Sequence, residues 1–343
     1  MMLQPKVWLH CSSGSGSQQK RLRISAAHNE WNHVGMALAA MEQGFFSEEE
    51  LPDVELLTFD QNEQTELLDR EAIQVDLLAR GIIDVAIDPR TTFVLEAKDQ
   101  GKPVCIVGAR RKNHAFVLIG QKGLKSIQDL SGKTVEVGQP GGANDVMMRQ
   151  VLNDHGLVPD KDVKISYGGG PMHDSAGTIQ AFIEGKYGPA LLKTHVRPLI
   201  DAGYPVLADL NKLYPSRHDR VTAANENFVR AHPEILKAFL KCAIRACRFA
   251  IANENGELKN KEKFKQIVTD AGFLTSERER RSFDNLFDDW QTRVSQDLSL
   301  PEEGIQLIVD EEKKAGKITP HFKIDSVLRL EALGQAQVAL GLA

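Results

Sequence analysis

The sequence predicts an α/β fold of two lobes followed by a helical C-terminal extension. Three observations lead there. Strand and helix signals alternate from Leu22 to about residue 110, the alternation restarts after "RRKNH", and from about His232 nearly every signal is helical. Alternation of this kind implies largely parallel sheets with helices on their faces. At 343 residues the chain also exceeds one comfortable hydrophobic core, so two lobes are expected.

In order along the chain, "LRISAA" has strand period, with Leu22, Ile24 and Ala26 on one face. After the loop "HNEWNH", Val34, Ala37, Leu38, Met41 and Phe45 mark one face of a helix that Gly44 can end. "VELLTF" is a strand, followed by a long helix through Leu67, Leu68, Leu77 and Leu78 to Gly81. "IIDVAID", a short helix over Thr91–Gln100 and the strand "PVCIVGA" complete the first run. The second run reads strand "AFVLIG", strand "TVEVG", a helix after "GQPGGAND", strand "VKISYG", helix "AGTIQAFIEG", strand "PALLK", helix "VRPLIDAG" and strand "PVLADL". "LLARGIIDVAID" and "AFIEGKYGPALLK" form a quasi-repeat, each reading helix, glycine, strand, then a polar residue at the strand end. "PEILKAFLKCAIRACRFAIAN" opens the helical part behind a proline start.

Composition removes several function classes. With 42% hydrophobic and 26% charged residues the chain is an ordinary globular sequence, and its formal charge of −5 argues against nucleic acid as a partner. No apolar run approaches the ~20 residues of a transmembrane helix. Residues 1–21 read as a flexible tail. Met1–His10 contains Gln4, Pro5, Lys6 and His10 and so lacks the apolar centre of a secretory signal. As written the chain is therefore expected in the cytoplasm, or in the cell envelope or periplasm if its start is truncated or processed. Cys11, Cys105, Cys242 and Cys247 show no metal spacing, and Cys242 and Cys247 lie roughly 140° apart around one helix, too far for a comfortable bridge.

The most informative stretch is "GQPGGANDVMMRQVLNDHGL", residues 138–157. Gly141 and Gly142 let a ligand approach the backbone, and Asn144 or Gly142 can cap the helix. Amides at the positive end of the helix dipole can hold a carboxylate, sulfonate or single phosphate without a lysine. Together with "GMALAAMEQGFFSEEELPDVELLTFD", "ARGIIDVAIDP", "GKPVCIVGA" and "AANENFVRAHPEILKAFLKCAIRA", this stretch resembles type II periplasmic-binding-protein-like sequences over roughly 22–253. The branch is the one holding the sulfonate, nitrate and taurine binders and the Thi5-type thiamine-precursor proteins. The resemblance implies lobe one over 22–110 plus 216–343, lobe two over 111–215, and a small-molecule ligand shut between them.

Loops after the strands should then line the ligand site. Trp31 and His33 follow the first strand, where Trp31 either stacks on a flat ligand or caps the core. Arg90 and Thr91 follow the third, with Arg90 suited to a two-pronged grip on an oxyanion. Of the run Arg110, Arg111, Lys112 and His114, one residue is expected inside the cleft. Lobe two offers Gly141, Gly142, Ala143, Asn144, His173, Lys193 and His195. These cationic loops point to an anionic or carboxylated ligand, an aromatic one if Trp31 stacks on it.

Two functions fit. One is a solute-binding protein partnered by an ABC-importer permease. The other is a cytosolic enzyme on the same scaffold, such as a desulfinase or decarboxylase. Thi5-type pyrimidine synthesis fits poorly, because "DVAIDPRTTFVLEA" has no lysine for pyridoxal phosphate and "YPSRHDRVT" has no cysteine. Cys105, in an apolar strand, reads as an inert core thiol. With no catalytic constellation and no cofactor or metal motif, the binder is the expected function.

Overall fold

The computed structural model describes the chain except residues 1–5, 12–20, 29, 52, 59–66, 112–115, 139, 142, 168–174, 194–195, 216, 256 and 343, and except the side chains of 6–11, 67–69, 143, 175–178, 193, 278, 282, 285 and 289. Its strands are β1 (Lys6–Cys11), β2 (Leu22–Ala26), β3 (Val54–Thr58), β4 (Val85–Arg90), β5 (Val104–Gly108), β6 (Phe116–Ile119), β7 (Thr134–Val137), β8 (Lys164–Tyr167), β9 (Ala190–Lys193), β10 (Val206–Asp209) and β11 (Arg220–Asn225). The helices used below are α1 (Trp31–Glu42), α2 (Phe45–Glu48), α3 (Leu67–Ala79), α4 (Thr91–Asp99) and α5 (Ala143–Asp154).

Two compact units result, one of Met1–Lys112, Ser216–Phe283 and Trp290–Ala343, the other of Asn113–Pro215 and Asp284–Asp289. The first holds a six-stranded sheet in the order β1-β3-β2-β4-β11-β5. β2 runs parallel to β3 and β4, whereas β11 is antiparallel to both β4 and β5. β3, β4 and β5 are buried along their whole length, so none shows a clean polar alternation, and β5 is apolar throughout. A core of Leu78, Ile83, Leu95, Ile106 and Val221 with Ile305, Ile308 and Val309 from the C-terminal helices packs beside this sheet.

Two features differ from expectation. Lys6–Cys11, read as part of a flexible tail, forms an edge strand antiparallel to β3. The open hydrogen-bonding edge of β3 supplies a template, and "KVWLHC" carries β-formers enough to use it. Arg220–Asn225, to which the sequence pattern assigns no strand, is a central strand. Its Val221, Ala223 and Ala224 are fully buried, so no polar alternation betrays it.

The second unit holds a five-stranded sheet in the order β10-β6-β9-β7-β8. Alternation along its strands sorts side chains onto two cores. Phe116, Leu118 and Leu191 face one core with Val135, Met148 and Leu152, while Ile119, Ala190 and Leu192 face the other with Phe182, Leu199 and Tyr204.

Candidate functional site

In the first unit the carboxyl ends of the parallel strands carry a buried charge cluster. β4 ends in Asp88-Pro89-Arg90 and passes directly into α4. Asp88 adopts a left-handed φ of 56°, a conformation Asp tolerates better than most residues. Its Oδ2 receives Arg110 Nη2 in a very short hydrogen bond, forms an ion pair with Arg111 Nη2 at 2.8 Å and lies 3.6 Å from His33 Nδ1, while its Oδ1 is buried without a hydrogen-bond partner. Its backbone carbonyl accepts from Arg220 Nη1 at 2.7 Å.

The second carboxylate is Glu71 of α3. It accepts from Arg90 Nε at 2.5 Å, from Arg220 Nη2 at 2.5 Å and from His28 Nε2 at 2.7 Å. Arg90 and Arg220 face each other across the β4–β11 pair. Like charges so placed repel, and Glu71 bridging both offsets this. The His28 and His33 rings stand 4.5 Å apart.

Protonation follows from these neighbours. Burial alone would raise the Asp88 carboxyl, but Arg110, Arg111 and Arg220 outweigh it and bring it to about 2. Burial likewise opposes ionisation of Glu71, and Arg220, His28 and Arg90 hold it well below the usual carboxylate range. His33 is driven well below the usual histidine value by burial and then by His28, Arg111, Arg220 and Arg110. His28 is lowered too, burial outweighing its hydrogen bond to Glu71. Both imidazoles are therefore neutral at pH 7.

Arg90, Arg110, Arg111 and Arg220 thus stand four cations against two carboxylates. Farther out, Arg293 adds positive charge near Arg111, and Asp219, held by Arg217, adds negative charge near Arg220. The positive excess registers on Arg111, which burial, opposed only by Asp88, pushes down to about 10. The Nε atoms of Arg110 and Arg111 are buried without a hydrogen-bond partner. An arrangement with surplus fixed positive charge and unspent donors favours an anion.

Of the residues singled out in sequence, the fold gathers His33, Arg90 and Arg110 here. Both Arg110 and Arg111 reach Asp88, where one inward residue was expected of that run; Lys112 and His114 lie outside the described residues. Thr91 is adjacent, but its hydroxyl donates to the His218 carbonyl and its N–H to that of Asp219, so it fastens that segment. Trp31 starts α1 rather than lying in a loop and is 4% exposed, packed on Phe283 and Trp290 at 4.8 and 5.2 Å. That is the core alternative. Sequence reasoning did not select Glu71, His28 or Arg220. The available signal was in α3, where Glu71 and Gln74 interrupt a helical stripe between Leu67 and Leu78.

In the second unit, Gly141 has a φ of 69° and its N–H donates to Asp145 Oδ2 at 2.8 Å. Asp145, buried in the first turn of α5, also receives Arg149 Nε at 2.9 Å and the Tyr167 hydroxyl at 3.2 Å. Asn144 Oδ1 accepts from the Asp145 N–H at 3.1 Å. This helix start therefore already holds a carboxylate. Gly142, His173 and His195, with the side chains of Ala143 and Lys193, lie outside the described residues. Cys105, read as an inert core thiol, is buried in β5, and burial pushes its thiol up to about 12.

Two α/β units, each with its own sheet, define a two-lobed periplasmic-binding-protein fold, and comparison with known proteins agrees. The NMT1/THI5-like family profile matches residues 30–256, and the chain belongs to that family. The aliphatic sulphonate binding protein SsuA from Escherichia coli is 16% identical with a TM-score of 0.63, covering 90% of this chain and 97% of SsuA. The nitrate-binding protein NrtA from Synechocystis is 18% identical with a TM-score of 0.64, covering 95% and 90%. Among curated proteins, the HTH-type transcriptional regulator CbbR of Rhodospirillum rubrum is 28% identical over 123 residues, 36% of this chain; the match spans only 39% of CbbR. No helix among the described residues is long and apolar enough to cross a membrane.

Proposed function

We propose that this protein is a small-molecule solute-binding protein of ABC-importer type whose ligand is an anion, carboxylated or similar, closed between the two lobes. The observation that carries this reading is the buried cluster with four arginines against two carboxylates and unspent guanidinium donors. Family membership and the likeness in fold to sulphonate- and nitrate-binding proteins support the same role. Arg90, Arg110 and Arg111 take the anionic group. The amides of Gly142 and Ala143 are a weaker contributor, because Asp145 already places negative charge at that helix start.

Native mass spectrometry of freshly purified protein should find a retained acidic small molecule, and calorimetry with that molecule should give a ten- to hundredfold loss for Arg110→Ala, as for one or two charge-assisted hydrogen bonds of about 1.5–3 kcal/mol each. Closure should lower the radius of gyration on binding. A neutral retained ligand, or full affinity in both Arg90→Ala and Arg110→Ala, would defeat this function. The similarity to CbbR favours a second reading, ligand sensing without delivery, in which binding is the same but no permease is engaged.

A further inference from the structure

The helix Glu302–Lys314 packs against α4, its Ile305, Ile308 and Val309 sharing one core with Val94 and Leu95. On that seam two carboxylates meet. Glu312 is 4% exposed, and half-buried Glu96 stands within hydrogen-bond reach of it. The cation beside them is Lys317, whose Nζ lies 3.5 Å from Glu312 Oε2 but whose side chain is 47% exposed. Neighbouring charges on the two helices have other partners: Lys98 pairs with Glu226 at 2.7 Å, Asp99 accepts from Thr319, and Glu311 accepts from Arg217.

Two carboxylates can hydrogen-bond to each other only if one of them carries a proton, and two ionised ones held that close repel. An exposed lysine offsets the repulsion weakly, because solvent screens it. Burial first, and then Glu312, accordingly raise the Glu96 carboxyl, with Lys317 acting against them. The proton belongs to the pair rather than to either residue. Glu96 binds it more readily folded than unfolded, so its stabilising share is complete below about pH 4.5 and is lost as pH rises through the raised value.

Both helices reach the charge cluster. α4 begins directly after Arg90, and its Thr91 fastens the His218 and Asp219 carbonyls. Glu311, next to Glu312, holds Arg217. We propose that the seam is a proton-operated clasp: one proton shared by Glu96 and Glu312 fastens α4 to the helix Glu302–Lys314 and thereby steadies residues 217–220, which deliver Arg220 to the cluster. Acid tightens this seam while it weakens the pairs that Asp88, Glu71 and His33 make, so the seam and the cluster respond to pH in opposite senses.

The test follows the glutamate side-chain carboxyl carbons of the full chain by NMR through a pH titration, beside thermal melting of the parent, Glu96→Gln, Glu312→Gln and Lys317→Met. In the parent Glu96 should titrate above 4.5; Glu312→Gln should bring it down, and Lys317→Met should push it further up. Glutamine donates a hydrogen bond to Glu312 without needing a proton, so Glu96→Gln should melt roughly 2–4 °C above the parent at neutral pH. That gap should close as the pH falls toward 4.5. At neutral pH the Thr91 N–H, which donates to the Asp219 carbonyl, should exchange several-fold more slowly in Glu96→Gln than in the parent. A parent Glu96 that titrates at or below the ordinary glutamate value overturns the clasp, as does one that Glu312→Gln leaves unmoved. Glu96→Gln melting no higher than the parent at neutral pH means that Lys317 already holds two ionised carboxylates, which overturns it too. Unchanged Thr91 exchange, with every other result as expected, overturns the link to residues 217–220.

Discussion

The end of the first unit's sheet and the start of α5 in the second unit were both expected to attract an anion, and they are built in opposite ways. At α5 the chain supplies its own anion: Asp145 caps Gly141 and is itself held by Arg149 and Tyr167. At the sheet end the chain supplies two carboxylates to four arginines and leaves guanidinium nitrogens unspent. Glycines and a helix dipole mark where an anion can be held. Whether the chain has already filled the place depends on an acidic residue three or four positions on.

The contrast can be broken most sharply at Glu71. Removing it leaves Arg90 and Arg220 facing each other without a bridge, so Glu71→Ala should lose about 3–5 kcal/mol in urea unfolding. A loss below about 1 kcal/mol would mean that the bridge is not what holds the cluster. Next in size is the response to acid. Asp88 drops from 3.8 to about 2 on folding, a stabilisation of about 2 kcal/mol at neutral pH. Glu71 and His33 are also lowered, so in all three the unfolded chain binds protons first. Their contribution is complete above pH ~6.5, the unfolded histidine value, and shrinks as pH falls, the His33 part first and the carboxylate parts below about pH 4.5. Melting temperature should accordingly decline on acidification from pH 7. In Asp88→Asn the decline between pH 4 and 2 should be shallower, from a lower starting point.

Smaller effects are expected in the second unit. Asp145→Ala should cost about 1–2 kcal/mol of thermal stability, a lost cap and a lost dipole contact. It should leave the stabilising effect of the retained acidic molecule intact, whereas Arg110→Ala should weaken that effect. If Asp145→Ala instead strengthens binding of that molecule, α5 shares the anion more than its own carboxylate suggests. Smallest of all, Asn144→Ala should shift stability by less than about 1 kcal/mol, since its side chain accepts only from the adjacent amide.

The alternation of strand and helix was legible because burial fixes patterning locally: β5 announces itself as an apolar run, β3 and the start of β4 as short apolar-rich segments, and α1 and α3 as stripes. β11 was not, because a short strand rich in alanine and buried on both faces has no pattern of its own, and only β4 and β5 make it a strand. β1 was missed for the converse reason: its existence depends on the free edge of β3, 40-odd residues away in sequence. At the site, Arg90, Arg110 and His33 were found because strand-end loops are where side chains converge. Glu71 escaped notice because it sits inside a helix, and Arg220 because the strand it begins was not recognised. A long-range charge network is written in pairs, and each partner looks ordinary alone.

The placement of β11 has a consequence for how the protein is made. β4 and β5 never pair with each other; each hydrogen-bonds to β11. A nascent chain that has emerged only through Gly108 therefore has two strands with open edges and no neighbour to join them. The intervening second unit, Asn113–Pro215, is translated in full before Arg220 arrives. Long-range pairing of this kind is slow and exposes sheet edges meanwhile. The insertion of β11 closes both edges and, in the same event, delivers the Arg220 side chain to Glu71. Joining of β4 to β5 and assembly of the charge cluster are thus a single step in the life of the chain, so a truncated or stalled product ending before Arg220 would present an aggregation-prone sheet and an incomplete charge cluster.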